Sequence, residues 1–305
     1  MAKTNFLIDG SNLAYRQYYG IQKSLSTSVG DPSDIIFGFF RSLLKLKREF
    51  KQADFWVAWD GVNNERRRLF SGYKAQRKTT DDKKIIHEQI EILKKLIPFC
   101  GIGSVYLEDQ EADDIIAALA VKYFKGGLNY IYANDKDYLQ LVKDGSIIVL
   151  MPRKGENRAY DEDAVLEEFN VPVEQVLHFR ALDGDSSDNI PRVPYLKKAT
   201  IVDIIKRYDT IDILYNSTFS GIKISDYNKL KGFEKQAKTN LQLMRLNTSL
   251  ELEDQIEKPP FNLKELEAAF EKYELKTLLI KIDEFAREFG GMDGFMKTGI
   301  QQISL

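Results

Sequence analysis

Asp9, Asp60 and Asp135 each follow a short apolar run: Phe6-Leu7-Ile8, Phe55-Trp56-Val57-Ala58-Trp59, and Tyr130-Ile131-Tyr132-Ala133 (then Asn134), with Asp137 two residues further on. One aspartate after a strand is ordinary turn chemistry. Three in one sheet ask for another explanation, because open parallel sheets bind ligands beyond the carboxyl ends of their strands. Glu111, Asp113 and Asp114 open an apolar helical segment. The helix macrodipole accounts for one or two acids in a first turn but does not require three. Asp185 and Asp188 sit in the small polar stretch Gly184-Asp185-Ser186-Ser187-Asp188-Asn189-Ile190-Pro191, where a solvated loop is the plain alternative. Nine converging carboxylates would repel one another unless cations neutralised them. Two divalent ions about 3.5–4 Å apart are the usual solution in nucleases and phosphatases, activating a water and offsetting charge on the attacked phosphate. The chain has one cysteine, Cys100, and two histidines, His87 and His178, so oxygen ligands must carry any metal chemistry. That selects hard cations, Mg²⁺ with Mn²⁺ as a substitute.

The elements that must position these acids alternate. The three apolar runs, and Ile147-Ile148-Val149-Leu150, suit strands buried on both faces of a parallel sheet. Helical periodicity is expected over 34–50, 81–99 and 111–124, the last stopped by Gly126-Gly127. Strand–helix alternation predicts a doubly wound α/β fold with a mostly parallel central sheet. Short helices are expected over 161–170 and 172–182. The pattern over 197–244 is helical and rich in lysine, and no strong strand is expected after Leu150. The expected organisation is an α/β catalytic domain over 1–184, a helical region over 185–289, and a loose tail over 290–305.

The chain has 305 residues, 43% hydrophobic and 30% charged, with a net charge of −2, which suits a globular protein and leaves nucleic acid open as a partner if the charges segregate. No apolar run approaches the roughly 20 residues of a membrane span, and cysteine usage favours a reducing cytoplasm. Cys100 reads as a core thiol, and the histidines as ordinary helix residues. Between the second strand and the 81–99 helix, Arg66-Arg67-Arg68-Leu69-Phe70-Ser71-Gly72-Tyr73-Lys74-Ala75-Gln76-Arg77-Lys78 is a basic run with interleaved aromatics. On residues alone it suits either a phosphate backbone with stacked bases or a solvated helix face. Tyr15, Arg16 and Tyr18 suit nucleic-acid contact or core packing equally.

Five segments, in order, carry a resemblance: Leu7-Ile8-Asp9-Gly10-Ser11-Asn12, Ala58-Trp59-Asp60, Glu111-Ala112-Asp113-Asp114, Asn134-Asp135-Lys136-Asp137, and Ala181 through Pro191. The chain resembles the 5′ nuclease family: the 5′-nuclease domain of bacterial DNA polymerase I, phage 5′ exonucleases and flap endonucleases. The resemblance spans roughly residues 5 to 200, more weakly to about 280. It implies a PIN-like sheet, a helical arch over about 62–90 and a helical DNA-binding C-terminal region. Asp9, Asp60, Glu111, Asp113 and Asp135 would surround the first metal, and Asp114 would support them. Asp137, Asp185 and Asp188 would serve the second metal, and Asp183 would be a surface acid. Lys74, assisted by Arg77, would hold the scissile phosphate at the base of the arch. Arg66, Tyr73 and Lys78 would contact nucleic acid beside it.

One departure stands out. After Pro191 the family carries a glycine-rich helix–hairpin–helix that grips duplex phosphates, often with a monovalent cation. Here the stretch is Arg192-Val193-Pro194-Tyr195-Leu196-Lys197-Lys198-Ala199. Tyr195 and Lys197 stand where glycine is expected, which argues against a bound K⁺. Lys197, Lys198, Lys206 and Arg207 would grip the duplex through side chains instead.

The expected function is hydrolysis of phosphodiesters near 5′ ends, flaps or nicks of DNA and RNA–DNA strands, RNase H activity included. It would leave a 5′-phosphate and remove lagging-strand primers, in a stand-alone monomer suited to phage replication. Single-strand-binding protein or a clamp are conceivable replication partners. The alternatives are a PIN-type ribonuclease, an inactive binder of branched nucleic acid, and a phosphatase of small substrates. The basic run and the Gly184–Pro191 segment disfavour the first. The complete acid set disfavours the second, and the phosphatase would not need Lys74 and Arg77.

Overall fold

Residues 3–20, 25–63, 65–75, 81–154 and 156–291 are described in the computed structural model. Six strands form one sheet: β1 (Thr4–Asp9), β2 (Asp54–Trp59), β3 (Gly103–Tyr106), β4 (Leu128–Tyr132), β5 (Ile147–Pro152) and β6 (Asn157–Tyr160). Their order is β3-β2-β1-β4-β5-β6, parallel throughout except for antiparallel β6. The parallel, doubly wound sheet is the expected one. β6 corrects the expectation that no strand follows Leu150: it is a short, polar edge strand, without the apolar run that marks a buried one. β3 also went unread, having only four residues, one of them glycine.

Among the described residues there are thirteen α-helices: α1 (Gly10–Gly20), α2 (Asp34–Glu49), α3 (Glu65–Leu69), α4 (Asp81–Leu96), α5 (Ala112–Ala118), α6 (Glu162–Phe169), α7 (Val173–Asp183), α8 (Lys198–Tyr208), α9 (Ile211–Asn216), α10 (Ile224–Met244), α11 (Leu263–Lys272), α12 (Lys276–Leu279) and α13 (Ile282–Phe289). Strand residues alternate between two apolar cores. Leu7, Trp56, Ala58 and Ile131 join the core made with α5 to α10. Phe6, Ile8, Val57 and Trp59 join the one made with α1, α2, α4, α11 and α13. Burial on both faces is why these strands read as continuous apolar runs.

The helical stretch expected over 197–244 divides into α8, α9 and α10. The last helices return to the helix layer beside the sheet: Phe270 and Phe285 of α11 and α13 pack against Phe40 of α2, with centroids 5.0 and 6.1 Å away. None of the described helices is long and apolar enough to cross a membrane.

The winding reverses between β1 and β4, the sheet's switch point, where a crevice opens beyond the carboxyl ends. Asp9 ends β1, Asp60 follows β2 and Asp135 follows β4, so three adjacent strands deliver acids to that crevice. Gly10 permits the tight exit: a Cβ there would lie 2.6 Å from Val57 Cγ1 and 2.7 Å from Trp59.

Candidate active site

Each strand-end acid is held by its own surroundings. Asp9 Oδ1 accepts from the Asn12 amide at 2.8 Å and its Oδ2 from the Tyr138 hydroxyl at 3.1 Å. Asp60 is exposed, yet its Oδ1 accepts from the Ala112 amide at 2.9 Å, capping α5 from the neighbouring strand. Asp135 accepts from the Asp137 amide at 2.8 Å.

Glu111 occupies the N-cap position of α5 but makes no capping bond. Its carboxylate turns instead to Arg66, Lys74 and the Tyr73 hydroxyl. Arg66 reaches Asp113 at 3.2 Å and Asp114 at 2.8 Å as well, and Asp114 also accepts from the Asn247 amide at 2.7 Å. Capping therefore does not account for these three acids; pairing with a buried cation does.

A second group surrounds Arg180 of α7. Its guanidinium lies 2.7 Å from Asp137 and 2.8 Å from Asp185, and Asp185 also accepts from the Ser187 amide and hydroxyl. Lys74 ties the groups together. Its amide donates to the Asp188 carbonyl at 3.0 Å, and its ammonium lies between Glu111 and Asp188 Oδ2, 4.0 Å from the latter. The Asn189 side-chain Nδ2 donates to the Gly72 carbonyl at 2.8 Å, so the acidic loop and the Lys74 turn are hydrogen-bonded together. Lys74 has a left-handed φ of 51°, a strained conformation for a residue with a Cβ and one that clusters at functional sites.

Electrostatics follow from burial. Asp9 is pushed up to about 7 by burial and then by the charge of Asp60. Asp137 also rises to about 7, by burial and despite Arg180. Burial raises Asp113 and Asp114 too, with Arg66 opposing. Burial works to raise Glu111 and Asp185 as well, but Lys74 and Arg66 for the one, and Ser187 and Arg180 for the other, leave both lowered. Lys74 and Arg66 stay firmly protonated because the surrounding acids outweigh their desolvation.

The fold thus brings together all nine predicted acids; Arg66, Lys74 and Arg180 hold six of them, and backbone amides and the Tyr138 hydroxyl hold Asp9, Asp60 and Asp135. Among the described residues no three acidic side chains stand arranged to hold a metal ion as they are, since most point at Arg66, Lys74, Arg180 or a backbone amide. Two expected nucleic-acid contacts need correcting. Arg66 is 7% exposed and Tyr73 3%; both point inward to the carboxylates, because an unpaired acid cluster would draw in the nearest cation and hydroxyl. Arg77 and Lys78 lie outside the described residues. Lys197 and Lys198 are exposed at the start of α8, Lys198 over the Phe179 ring at 5.4 Å. Cys100 is buried, as expected of a core thiol.

Sequence reasoning missed Arg180, Asn247 and a basic cavity. The cavity, of about 720 Å³, is lined by Arg16, Arg41, Lys45, Arg153, Lys154 and Lys281 among others. Arg16 stacks on Tyr132 and donates to its hydroxyl at 2.7 Å, on the face of the sheet opposite α7.

Comparison with known proteins decides the family. The model for the "5'-3' exonuclease, N-terminal resolvase-like domain" matches residues 4–170, and that for the "5'-3' exonuclease, C-terminal SAM fold" matches 171–269. The chain belongs to the 5′-3′ exonuclease family. Within it, the chain is 30% identical over 299 residues to a 5′-3′ exonuclease of Aquifex aeolicus, covering 94% of this chain and 97% of that one. It is 32% identical to DNA polymerase I of Bacillus subtilis, spanning 92% of this chain but only 32% of the polymerase. The fold is shared with a T5 5′-exonuclease carrying bound zinc (TM-score 0.66, 21% identity, 93% of this chain and 99% of that one). It is shared also with the catalytic core of Rad2 in complex with DNA substrate (TM-score 0.60, 15% identity, 92% and 93%). This 5′-3′ exonuclease is accordingly a phosphodiester hydrolase.

Proposed function

We propose that the protein cuts DNA and RNA–DNA strands at 5′ ends, nicks and flap junctions, leaving a 5′-phosphate on the remaining strand, and that it removes primers or flaps in replication or repair. The convergence of nine acids at the sheet's switch point, with the Lys74 ammonium between Glu111 and Asp188, carries this reading. The donors are all oxygens, and the buried Asp137 Oδ1 makes no hydrogen bond, facing only the Arg180 guanidinium at 2.7 Å. Such a set fits hard divalent cations. Asp9, Asp60, Glu111, Asp113 and Asp135 would hold one, supported by Asp114, and Asp137, Asp185 and Asp188 the other. Two Mg²⁺ ions, or Mn²⁺ in their place, would supply nucleophile activation and charge neutralisation. The protein's own part is positional. Lys74, fixed over the Tyr73 ring at 4.8 Å, sets a positive charge between the two acid groups, where charge develops on a scissile phosphate. Arg77 would assist it. Exposed Lys197 and Lys198 would meet the duplex.

The test is cleavage of a labelled 5′-flap oligonucleotide with Mg²⁺, with and without EDTA, beside a phosphomonoester substrate. Cutting near the junction, abolished by EDTA, is expected. Turnover of the monoester alone would make the protein a phosphatase. Binding of the flap without cutting under any divalent ion would make it an inactive binding protein.

A pH signature should accompany metal binding. Asp9 and Asp137, raised to about 7, bind protons more tightly when folded than unfolded, so their contribution to stability is present below the ordinary carboxylate range and lost as pH rises through about 7. Glu111 and Asp185 act oppositely, but below that range. In EDTA the protein should therefore melt lower at pH 8 than at pH 5, and Mg²⁺ should raise the melting temperature more at pH 8. Equal Mg²⁺ shifts at the two pH values would show that these carboxyls do not bind the ion.

A further inference from the structure

The hairpin between α7 and α8 holds a left-handed residue that is not glycine. Tyr195 stands in left-handed backbone at φ 56°, with its side chain 94% exposed. The turn is splinted from behind by side chains. Lys229 of α10 donates to the Tyr195 carbonyl at 3.2 Å while pairing with Asp226 at 2.9 Å. Arg192 donates to the Leu196 carbonyl at 3.1 Å and pairs with Asp183 at 3.0 Å. Asn240, also of α10 and fully buried, donates to the Pro191 carbonyl at 2.7 Å.

Family resemblance implies a monovalent cation beneath such a hairpin, but these residues do not fit one. Two carbonyls of the turn, those of Tyr195 and Leu196, already accept from an ammonium and a guanidinium. A third positive charge among them would be repelled at short range. We infer that Lys229 is a built-in replacement for that ion: its ammonium, close to K⁺ in size and equally positive, satisfies the carbonyl of the left-handed Tyr195 and holds the hairpin in register. Asp226 fixes the ammonium from the same helix, and Asp183 does the same for Arg192. The hairpin needs no ion from solution, and its left-handed residue need not be glycine because the splint offsets the strain.

The inference rests on the proposed reading that this hairpin meets duplex nucleic acid. Lys229 is then a positioning residue whose loss weakens duplex binding without touching the nuclease centre. The experiment is fluorescence anisotropy of the full chain in EDTA, which prevents cutting, at constant ionic strength in KCl or in tetramethylammonium chloride, an ion too large for such a turn. The probes are a flap substrate with duplex arms and a single-stranded oligonucleotide. Wild type should bind the duplex probe within twofold in the two salts. Lys229→Met should bind it about tenfold more weakly in tetramethylammonium, roughly the worth of one charge-assisted hydrogen bond. Its single-strand affinity should stay unchanged, and Lys229→Arg should recover most of the loss. Wild-type binding several-fold tighter in KCl would establish a true ion site and overturn the inference, and needs no variant to fold. Lys229→Met indistinguishable from wild type in tetramethylammonium would overturn it as well. Failure of wild type to bind duplex in either salt would remove the functional reading beneath it.

Discussion

Asp135→Asn is expected to lower kcat on a 5′-flap substrate by about 10²–10³-fold, the scale on which losing one preorganised electrostatic group acts, while leaving the metal-free protein as stable as wild type or slightly more so. The two halves of this expectation have one cause. The charge of Asp135 bears on Asp9 and also on Asp137 and Arg180, so it is shared between the two acid groups. Replacing it with a neutral amide of the same shape takes negative charge from both sides of the site at once. The amide oxygen still accepts from the Asp137 amide, so the turn after β4 keeps its hydrogen bond. Without a divalent ion the change relieves like-charge repulsion, since Asp135 raises both neighbours. Kinetics on a labelled flap and melting curves in EDTA separate the effects. A variant that loses activity and melts well below wild type would show that Asp135 serves the fold rather than the chemistry.

Which parts of this site could be read in advance follows from the physics of each part. The acids were legible because strands buried on both faces leave unmistakable apolar runs, and an aspartate after each run stands out. β1, β2, β4 and β5 follow that rule. β3 and β6 do not, being short and partly exposed. Asp185 and Asp188 were legible through the small polar residues around them, which let a loop turn back on itself, as the Asp185–Ile190 bridge shows. The cations were harder. Arg66 sits in a run of three arginines, and nothing local marks it as the one that turns inward; Arg68, two residues on, is exposed. Arg180 and Lys229 lie on helices whose partners come from loops far off along the chain. Long side chains take their targets from tertiary placement, and one sequence does not encode that placement locally. The Tyr195 turn shows the converse. Its sequence lacks the expected glycines, yet a left-handed residue stands in the turn, and α10 supplies donors for its carbonyls.

Arg66→Met should destabilise the protein in EDTA at pH 8 by about 3–5 kcal/mol, the usual consequence of removing one partner from a buried ion-pair cluster. For a chain of this size that lowers the melting temperature by on the order of 10 °C. Arg66 is the cation shared by Glu111, Asp113 and Asp114. Methionine fills much of the same volume without charge, leaving Lys74 alone to balance three buried acids. Asp113 and Asp114 are raised by burial even with Arg66 present. Without it they should hold protons more strongly still, so the loss should shrink toward pH 5, where protonation removes the repulsion. Mg²⁺ should recover much of it at pH 8, because a divalent ion among the same carboxylates replaces the missing charge. Arg68→Met, at the exposed neighbouring position, should melt within about 0.5 kcal/mol of wild type, as surface changes do. If Arg66 instead contacts nucleic acid, as its basic surroundings suggest, Arg66→Met would leave the melting temperature unchanged in EDTA and raise KM for the flap. A large, pH-dependent and Mg²⁺-reversible loss of stability with KM little changed would place Arg66 inside the acid cluster, as the internal counter-charge that keeps the metal-free site folded.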